Sequence, residues 1–230
     1  MKFVPKIIKH TLEGRFLYLL VTILIFLGVG PLLSDITGFR LLLDIFFSAI
    51  LLSAIYAVSQ KKRDTVIAFA LAIPALLAFW LRDVTGGVAL DVASEIFGSL
   101  FFGYTIIVLL NFILNSSKIT RHVIHAALIG YLLMGMMWAS IYQLVDTIAP
   151  GSFSLVQGWT DNPRLIYLYF SYVTLTTLGY GDMTPLTAPA YSISIIEAII
   201  GQIYITVLIA RLVAIQISHS GKDRQSGSDR

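Results

Sequence analysis

Hydrophobic residues in this chain fall into long runs separated by short polar breaks. The long runs cover about 16–34, 39–59, 65–82, 90–114, 123–149 and 187–217. A transmembrane helix needs roughly 20 mostly apolar residues, so each long run suffices for one span. A shorter apolar run at about 163–176 is typical of a re-entrant helix, which membranes tolerate only when protein surrounds it. We therefore predict an all-α membrane protein with six transmembrane helices and a re-entrant helix between helices five and six.

The composition agrees with a protein that lies in a lipid bilayer. Of the 230 residues, 57% are hydrophobic and only 13% are charged, whereas soluble domains carry about 25% charged residues. Cysteine is absent, so disulfides and thiol chemistry are excluded. The net charge of +3 does not indicate a nucleic-acid partner, because the basic residues stand at the ends of the runs and reflect membrane topology.

The basic residues also predict the orientation. All Lys and Arg residues except Arg40, Arg82 and Arg164 fall on one side of the predicted spans. Cytoplasmic loops carry the excess of Lys and Arg, so both termini are expected inside. The N-terminal lysines could belong to a signal peptide, but the first run is long and Gly28–Pro31 is a poor cleavage site. Short loops favour a multi-pass protein of a bacterial inner membrane.

The most specific motif follows the short run and reads Thr176-Thr177-Leu178-Gly179-Tyr180-Gly181-Asp182. Two glycines at alternate positions allow unusual backbone angles at little steric cost, so that successive carbonyls can point to one axis. The segment resembles the potassium channel signature T-V-G-Y-G-D, with leucine in place of the usual valine. The alternative is a chance Gly-Tyr-Gly turn, which the flanking residues and the membrane layout disfavour.

The resemblance to the potassium channel family implies a selectivity filter, in which rings of carbonyls replace the water shell of K⁺. The matching ion-binding residues are Thr177, Leu178, Gly179, Tyr180 and Gly181, and K⁺ would be held by the first four. Non-selective relatives carry Asp at the position of Tyr180, so this residue favours K⁺ over Na⁺. The resemblance implies no cofactor beyond the permeant ion.

The resemblance also implies residues that support the filter, namely Thr176, Asp182, Tyr169 and Phe170. In many relatives the aspartate bonds to a tryptophan of the pore helix, which is absent here, so the outer filter should be braced differently. Asp161-Asn162-Pro163 predicts the start of that helix, with a side-chain cap followed by proline. The negative end of its dipole would face the pore axis and favour a cation there.

Two residues of the last run are further candidates. Gly201 matches the hinge glycine of the family's inner helix, although close helix packing is an alternative reason for a glycine in a membrane. Glu197 is an inner-helix carboxylate inside an apolar run, where an ionisable group is a functional candidate by default. We expect it to face the back of the pore helix and to hydrogen-bond to Ser or Thr there. The alternative is that it faces the water-filled cavity.

The fourth run lacks the feature that defines voltage-gated relatives. It contains no Lys or Arg before Lys118, and moving one charge through the field is worth about 2.3 kcal/mol per 100 mV. Weak or absent voltage dependence is therefore expected, with Asp44 an interfacial carboxylate. His122 and His125 could sense internal pH, although a passive interfacial placement is favoured.

These observations predict a sensor-like domain over 1–114 without gating charges, a pore domain over 115–217 and a short cytoplasmic tail over 218–230, with disorder expected over 221–230. One chain supplies one filter segment, so a ring of carbonyls requires a homotetramer. The predicted function is passive, potassium-selective conduction, and not an enzymatic one. The alternatives are an accessory channel subunit and a membrane sensor without conduction of its own.

Overall fold

A computed structural model describes residues 6–33, 39–59, 61–154 and 162–228, with side chains in 14–33, 41–59, 61–82, 86–154 and 162–214. Within these ranges the chain is almost entirely helical. The helices are α1 Lys6–Val29, α2 Phe39–Val58, α3 Lys62–Thr85, α4 Val88–Leu114, α5 Arg121–Ile148, α6 Pro163–Leu175 and α7 Ala188–Ser228. Two short antiparallel strands, β1 Phe153–Ser154 and β2 Thr184–Pro185, flank α6 and the segment that follows it.

Five described helices are long and apolar enough to cross a membrane, which supports an integral, multi-pass membrane protein. They are Leu41–Val58, Lys62–Arg82, Val88–Leu114, Arg121–Ile148 and Ala188–Ala214. The first predicted span coincides with α1, whose apolar part within the described side chains, Gly14–Val29, is shorter than a full span. The sixth span therefore stays a prediction.

The start of α6 follows the predicted cap. The Asn162 side chain accepts a hydrogen bond from Arg164 N at 3.1 Å, which satisfies one of the amides that have no partner within the helix. Pro163 is the first helical residue, where its missing N–H costs nothing and its fixed φ suits a helix. Asp161, the other predicted capping residue, lies outside the described residues.

The expectation of disorder from Gly221 onward is wrong for the backbone as far as Ser228, because α7 continues to that residue. The segment lacks proline, the one residue that would break the helix outright, and it contains the good helix formers Lys222, Arg224 and Gln225. Gly221 and Gly227 weaken the helix by about 1 kcal/mol each but do not prevent it.

Helix α5 lies at the centre of the second half of the chain and packs against α1, α4, α6 and α7. Two of its glycines let aromatic side chains approach its backbone. Tyr172 of α6 lies against Gly135 and donates to Leu132 O at 2.6 Å, and Tyr204 of α7 lies against Gly130. Small residues permit this approach, and the hydroxyls find acceptors where lipid offers none. Helices α6 and α7 are thus fixed on α5 by close packing and by hydrogen bonds.

We expect Gly135→Ala to destabilise the fold. A Cβ atom at this position would lie 2.4 Å from Tyr172 Cε1, and the ring cannot swing away without losing its bond to Leu132 O. Overpacking of this kind costs about 1–3 kcal/mol. The measurement is thermal unfolding in detergent, with Gly28→Ala as the matched control because open space surrounds that helical glycine. An unchanged midpoint for Gly135→Ala would contradict this packing.

Candidate ion-conduction site

The filter-like segment begins where α6 ends. After Leu175 the chain reverses direction, and two of its amides donate back to one helical carbonyl. Leu178 N and Gly179 N lie 3.0 Å and 3.3 Å from Val173 O. The last carbonyls of a helix have no partner within the helix, so these bonds satisfy an acceptor at the end of α6 while they fix the segment against it.

These bonds also determine where the neighbouring carbonyls point. In a trans peptide the C=O points opposite to the N–H of the next residue. Thr177 N donates to Thr174 O at 3.0 Å, and the amides of the next two residues also point back to α6. The carbonyls of Thr176, Thr177 and Leu178 are therefore directed away from the helix. Successive carbonyl oxygens on one side are what coordination of a dehydrated cation requires.

The backbone of the segment alternates in handedness. Thr177, Gly179 and Gly181 have φ values of 60°, 59° and 77°. The glycines occupy this region freely, as the sequence predicted. A threonine there is strained by about 1–3 kcal/mol, which persists only where the surrounding structure imposes it. The sequence did not predict this strain, because nothing in a Thr-Thr pair indicates a left-handed residue.

The side chains of the segment are exposed in the single chain. Leu178 and Tyr180 are 55% and 66% exposed. Together with Leu27, Pro31 and Tyr172 they line an apolar groove between the end of α1 and α6.

The C-terminal end of the segment is held by a tyrosine of α6. The Tyr169 hydroxyl donates to Asp182 Oδ2 at 2.5 Å. Phe170, the other predicted supporting aromatic, is buried and packs on Tyr142 and Phe153, with ring centroids 4.9 Å and 5.4 Å apart. The two aromatics thus make different contacts, one with the carboxylate that follows the segment and one with other aromatic rings.

The β1–β2 pair holds the chain after the segment against the loop before α6. Phe153 pairs with Pro185 and Ser154 with Thr184, and Leu186 N donates to Ser152 O at 2.8 Å. The chain before α6 and the chain after the filter-like segment are therefore joined to each other.

Glu197 occupies the position behind α6 that the sequence favoured. Its side chain is fully buried. Oε1 lies 2.5 Å from Ser171 Oγ of α6, and Oε2 accepts from the Tyr142 hydroxyl of α5. The Ser171 hydroxyl also lies 2.8 Å from Gly135 O. A single carboxyl thus joins α5, α6 and α7, and its tyrosine partner was not predicted because the two residues are far apart in sequence.

Gly201 lies against the C-terminal end of α6. A Cβ atom at this position would lie 2.7 Å from Leu175 Cδ1 and 3.0 Å from Leu175 O. The Tyr131 hydroxyl of α5 donates to the same carbonyl at 3.2 Å. This close approach gives the glycine a packing role in the structure, whereas its predicted hinge role stays a prediction.

Asp44 has an arginine partner that the sequence did not predict. Asp44 is buried, and its Oδ1 lies 3.7 Å from Arg164 Nη1 at the start of α6. The two residues are far apart in sequence, so no local pattern indicates the pair. The interfacial position expected for Asp44 stays a prediction.

His122 and His125 lie in the first two turns of α5, and their role stays untested.

Comparison with known proteins agrees with this geometry. A family model described as an ion channel matches residues 126–217, which cover most of α5, all of α6, the filter-like segment and most of α7. The chain is also 37% identical over 94 residues to "Two pore potassium channel c" of Oryza sativa subsp. japonica. The similarity covers 40% of this chain and 19% of the relative, so the chain spans about a fifth of the relative's length. These similarities support an ion channel function in a lipid bilayer, and not an enzymatic one.

We expect Ser171→Ala to destabilise the joint between α5, α6 and α7. The substitution removes the hydroxyl next to Glu197 Oε1, and a buried polar atom left without a partner costs about 1–3 kcal/mol. Ser99→Ala is the matched control, since that hydroxyl donates to Ile96 O within its own helix and its loss should cost less than about 0.5 kcal/mol. Thermal unfolding in detergent compares the two. Equal midpoints would contradict a bridging role for Ser171.

Proposed function

We propose that this protein is a subunit of a potassium-selective channel that conducts K⁺ passively. The observation that carries the proposal is the segment Thr177–Gly181, in which alternate residues have positive φ and the carbonyls of Thr177 and Leu178 are directed away from α6. The similarity of the chain to a potassium channel supports the same assignment. The ion-binding groups are the carbonyls of Thr177, Leu178, Gly179 and Tyr180, together with the Thr177 hydroxyl.

The proposed assembly is a homotetramer with the filter segments around a common axis. Each chain contributes one segment, and a closed ring of carbonyls around an ion needs four. Exposed apolar residues of α7 support a helix that meets lipid or neighbouring subunits; they include Ile195, Ile199, Ile203 and Val207. The exposed Leu178 and Tyr180 would be covered by an adjacent copy in such a ring.

The proposed channel responds weakly or not at all to voltage. Helix α4 carries Asp91 and Glu95 but no basic residue, so a gating charge of the usual sign is absent from it. We place both termini in the cytoplasm because of the distribution of Lys and Arg, and we favour a bacterial inner membrane. No cofactor is required, since conduction involves no covalent chemistry.

Purified protein in liposomes should conduct K⁺ without a partner protein, and Tyr180→Asp should lower the K⁺ to Na⁺ permeability ratio. The substitution changes a residue whose carbonyl is proposed to hold the ion, and outer ion sites would be lost. If the lost ion site contributes a few kcal/mol to the binding free energy of K⁺, this ratio should change by roughly tenfold or more. Reversal potentials under bi-ionic conditions measure it.

Two controls make this test interpretable. Tyr18→Phe alters an exposed tyrosine of α1 and should leave the ratio unchanged. The variant and the wild type should both have the mass of four chains in native mass spectrometry. An equal permeability for Na⁺ and K⁺ in the wild type would contradict the proposal. A flux that requires an added partner protein would favour an accessory subunit.

Gly201→Ala should separate a hinge from packing. If the glycine bends α7 during opening, alanine stiffens the helix by about 1 kcal/mol and lowers the open probability in single-channel recordings. If only packing matters, the contact with Leu175 should shift the melting temperature while the open probability remains as in the wild type. A variant with unchanged melting and unchanged gating would exclude both roles.

A further inference from the structure

The start of α6 carries a cation where a helix disfavours one. Arg164 is the second residue of α6, next to the positive end of the helix dipole. Its guanidinium is nevertheless largely buried, with a side-chain exposure of 11%. A buried cation must be paired. Among the described residues, Arg164 forms ion pairs with Asp44 of α2 and Glu95 of α4, which belong to the first four helices.

Glu95 lies at the centre of this cluster. Its Oε1 is 3.8 Å from Arg164 Nη2 and 3.8 Å from Arg82 Nη1 of α3. The residue is buried about two turns into an apolar helix, where a carboxylate is expensive unless cations offset it. One oxygen is thus shared by two guanidinium groups, and the re-entrant helix is linked through it to α3 and α4.

Two stacked phenylalanines complete the cluster. The Phe47 and Phe79 rings are 4.8 Å apart at an interplanar angle of 22°. The Arg164 guanidinium carbon lies 4.0 Å from the centroid of Phe79 and 4.9 Å from that of Phe47, and Arg82 lies 4.6 Å from Phe79. Cation–π contacts strengthen when they are removed from water. The rings therefore restrain the orientation of the planar Arg164 side chain, while its ion pairs offset its charge.

We propose that Glu95 is a positioning residue for the filter and that it acts through Arg164. In this arrangement the first four helices serve as an anchor that fixes the N-terminal end of α6. The inference rests on the proposed function, because it assigns the anchor a consequence for conduction.

The anchor can reach the filter because α6 is short and continuous. It has 13 residues, which corresponds to a rod of about 20 Å. Arg164 is at one end, and at the other end Val173 O receives the amides of Leu178 and Gly179. A change in the tilt of α6 therefore moves the carbonyls that coordinate the ion, and displacements well below 1 Å matter for a site built from fixed dipoles.

The test is a double-mutant cycle on Glu95→Gln and Arg164→Gln, with Asp91→Asn as the matched control. Asp91 is a carboxylate one turn from Glu95 on the same helix, and within the described residues its ion pair is with Arg82. The readouts are the K⁺ to Na⁺ permeability ratio and the mean open time of single channels in liposomes. Both report on the filter, so a residue that merely supports folding would not move them in the surviving tetramers.

Glu95→Gln and Arg164→Gln should each change one of these readouts on the order of threefold or more, and the double variant should resemble either single one, as expected for partners in one network. Arg164→Lys should change the readout less than Arg164→Gln does, since lysine keeps the charge but not the planar stack on Phe79. Asp91→Asn should have little effect, and its combination with Arg164→Gln should be additive. Wild-type values in Glu95→Gln, or additivity of the first pair, would overturn the inference.

Folding and function are kept apart in this design. If Glu95→Gln yields no tetramer, the milder Glu95→Asp variant takes its place in the cycle, with the same expected direction. If the wild type itself conducts no K⁺, the proposed function fails. The pairing of Glu95 with Arg164 is then tested by the same cycle on the melting temperature, where additivity would contradict it.

Discussion

The conformation of the filter-like segment depends on the hydrogen bonds between the end of α6 and the chain that leaves it. A single carbonyl, Val173 O, receives the amides of Leu178 and Gly179. With those amides turned to the helix, the intervening carbonyls must turn away from it, and alternate residues must adopt positive φ. Glycine supplies that conformation twice and Thr177 once. The segment is therefore only as well defined as the position of the end of α6.

The surrounding helices fix that end by polar contacts that lipid cannot replace. The Tyr131 hydroxyl binds Leu175 O, Glu197 bonds to Ser171, and Gly201 lets α7 approach Leu175 closely. In a bilayer the hydrophobic effect does not drive helices together, so small residues and hydrogen bonds have a larger share in packing. The small and polar residues of α5 and α7 thus determine where α6 ends.

The sequence predicted what local rules determine and missed what depends on distant partners. Apolar runs located the helices, Asn162 and Pro163 marked the start of α6, and the glycines indicated left-handed positions. Glu197 was expected to face a hydroxyl of the re-entrant helix, and it does. The pairing of Arg164 with Asp44 and Glu95 was missed. A charged residue in a sequence indicates the sign of its partner but not which residue that partner is. The strained Thr177 was missed because its conformation is imposed by the turn.

The same cluster bears on the proposed lack of a voltage response. One elementary charge moved through the whole field gains about 2.3 kcal/mol per 100 mV. Removing one partner of a buried ion pair costs about 3–5 kcal/mol, and Glu95 lies between Arg82 and Arg164. Carrying Glu95 away from both arginines would therefore cost more than the field supplies at about 100 mV. This comparison agrees with the proposal that the first four helices anchor α6 and do not sense voltage.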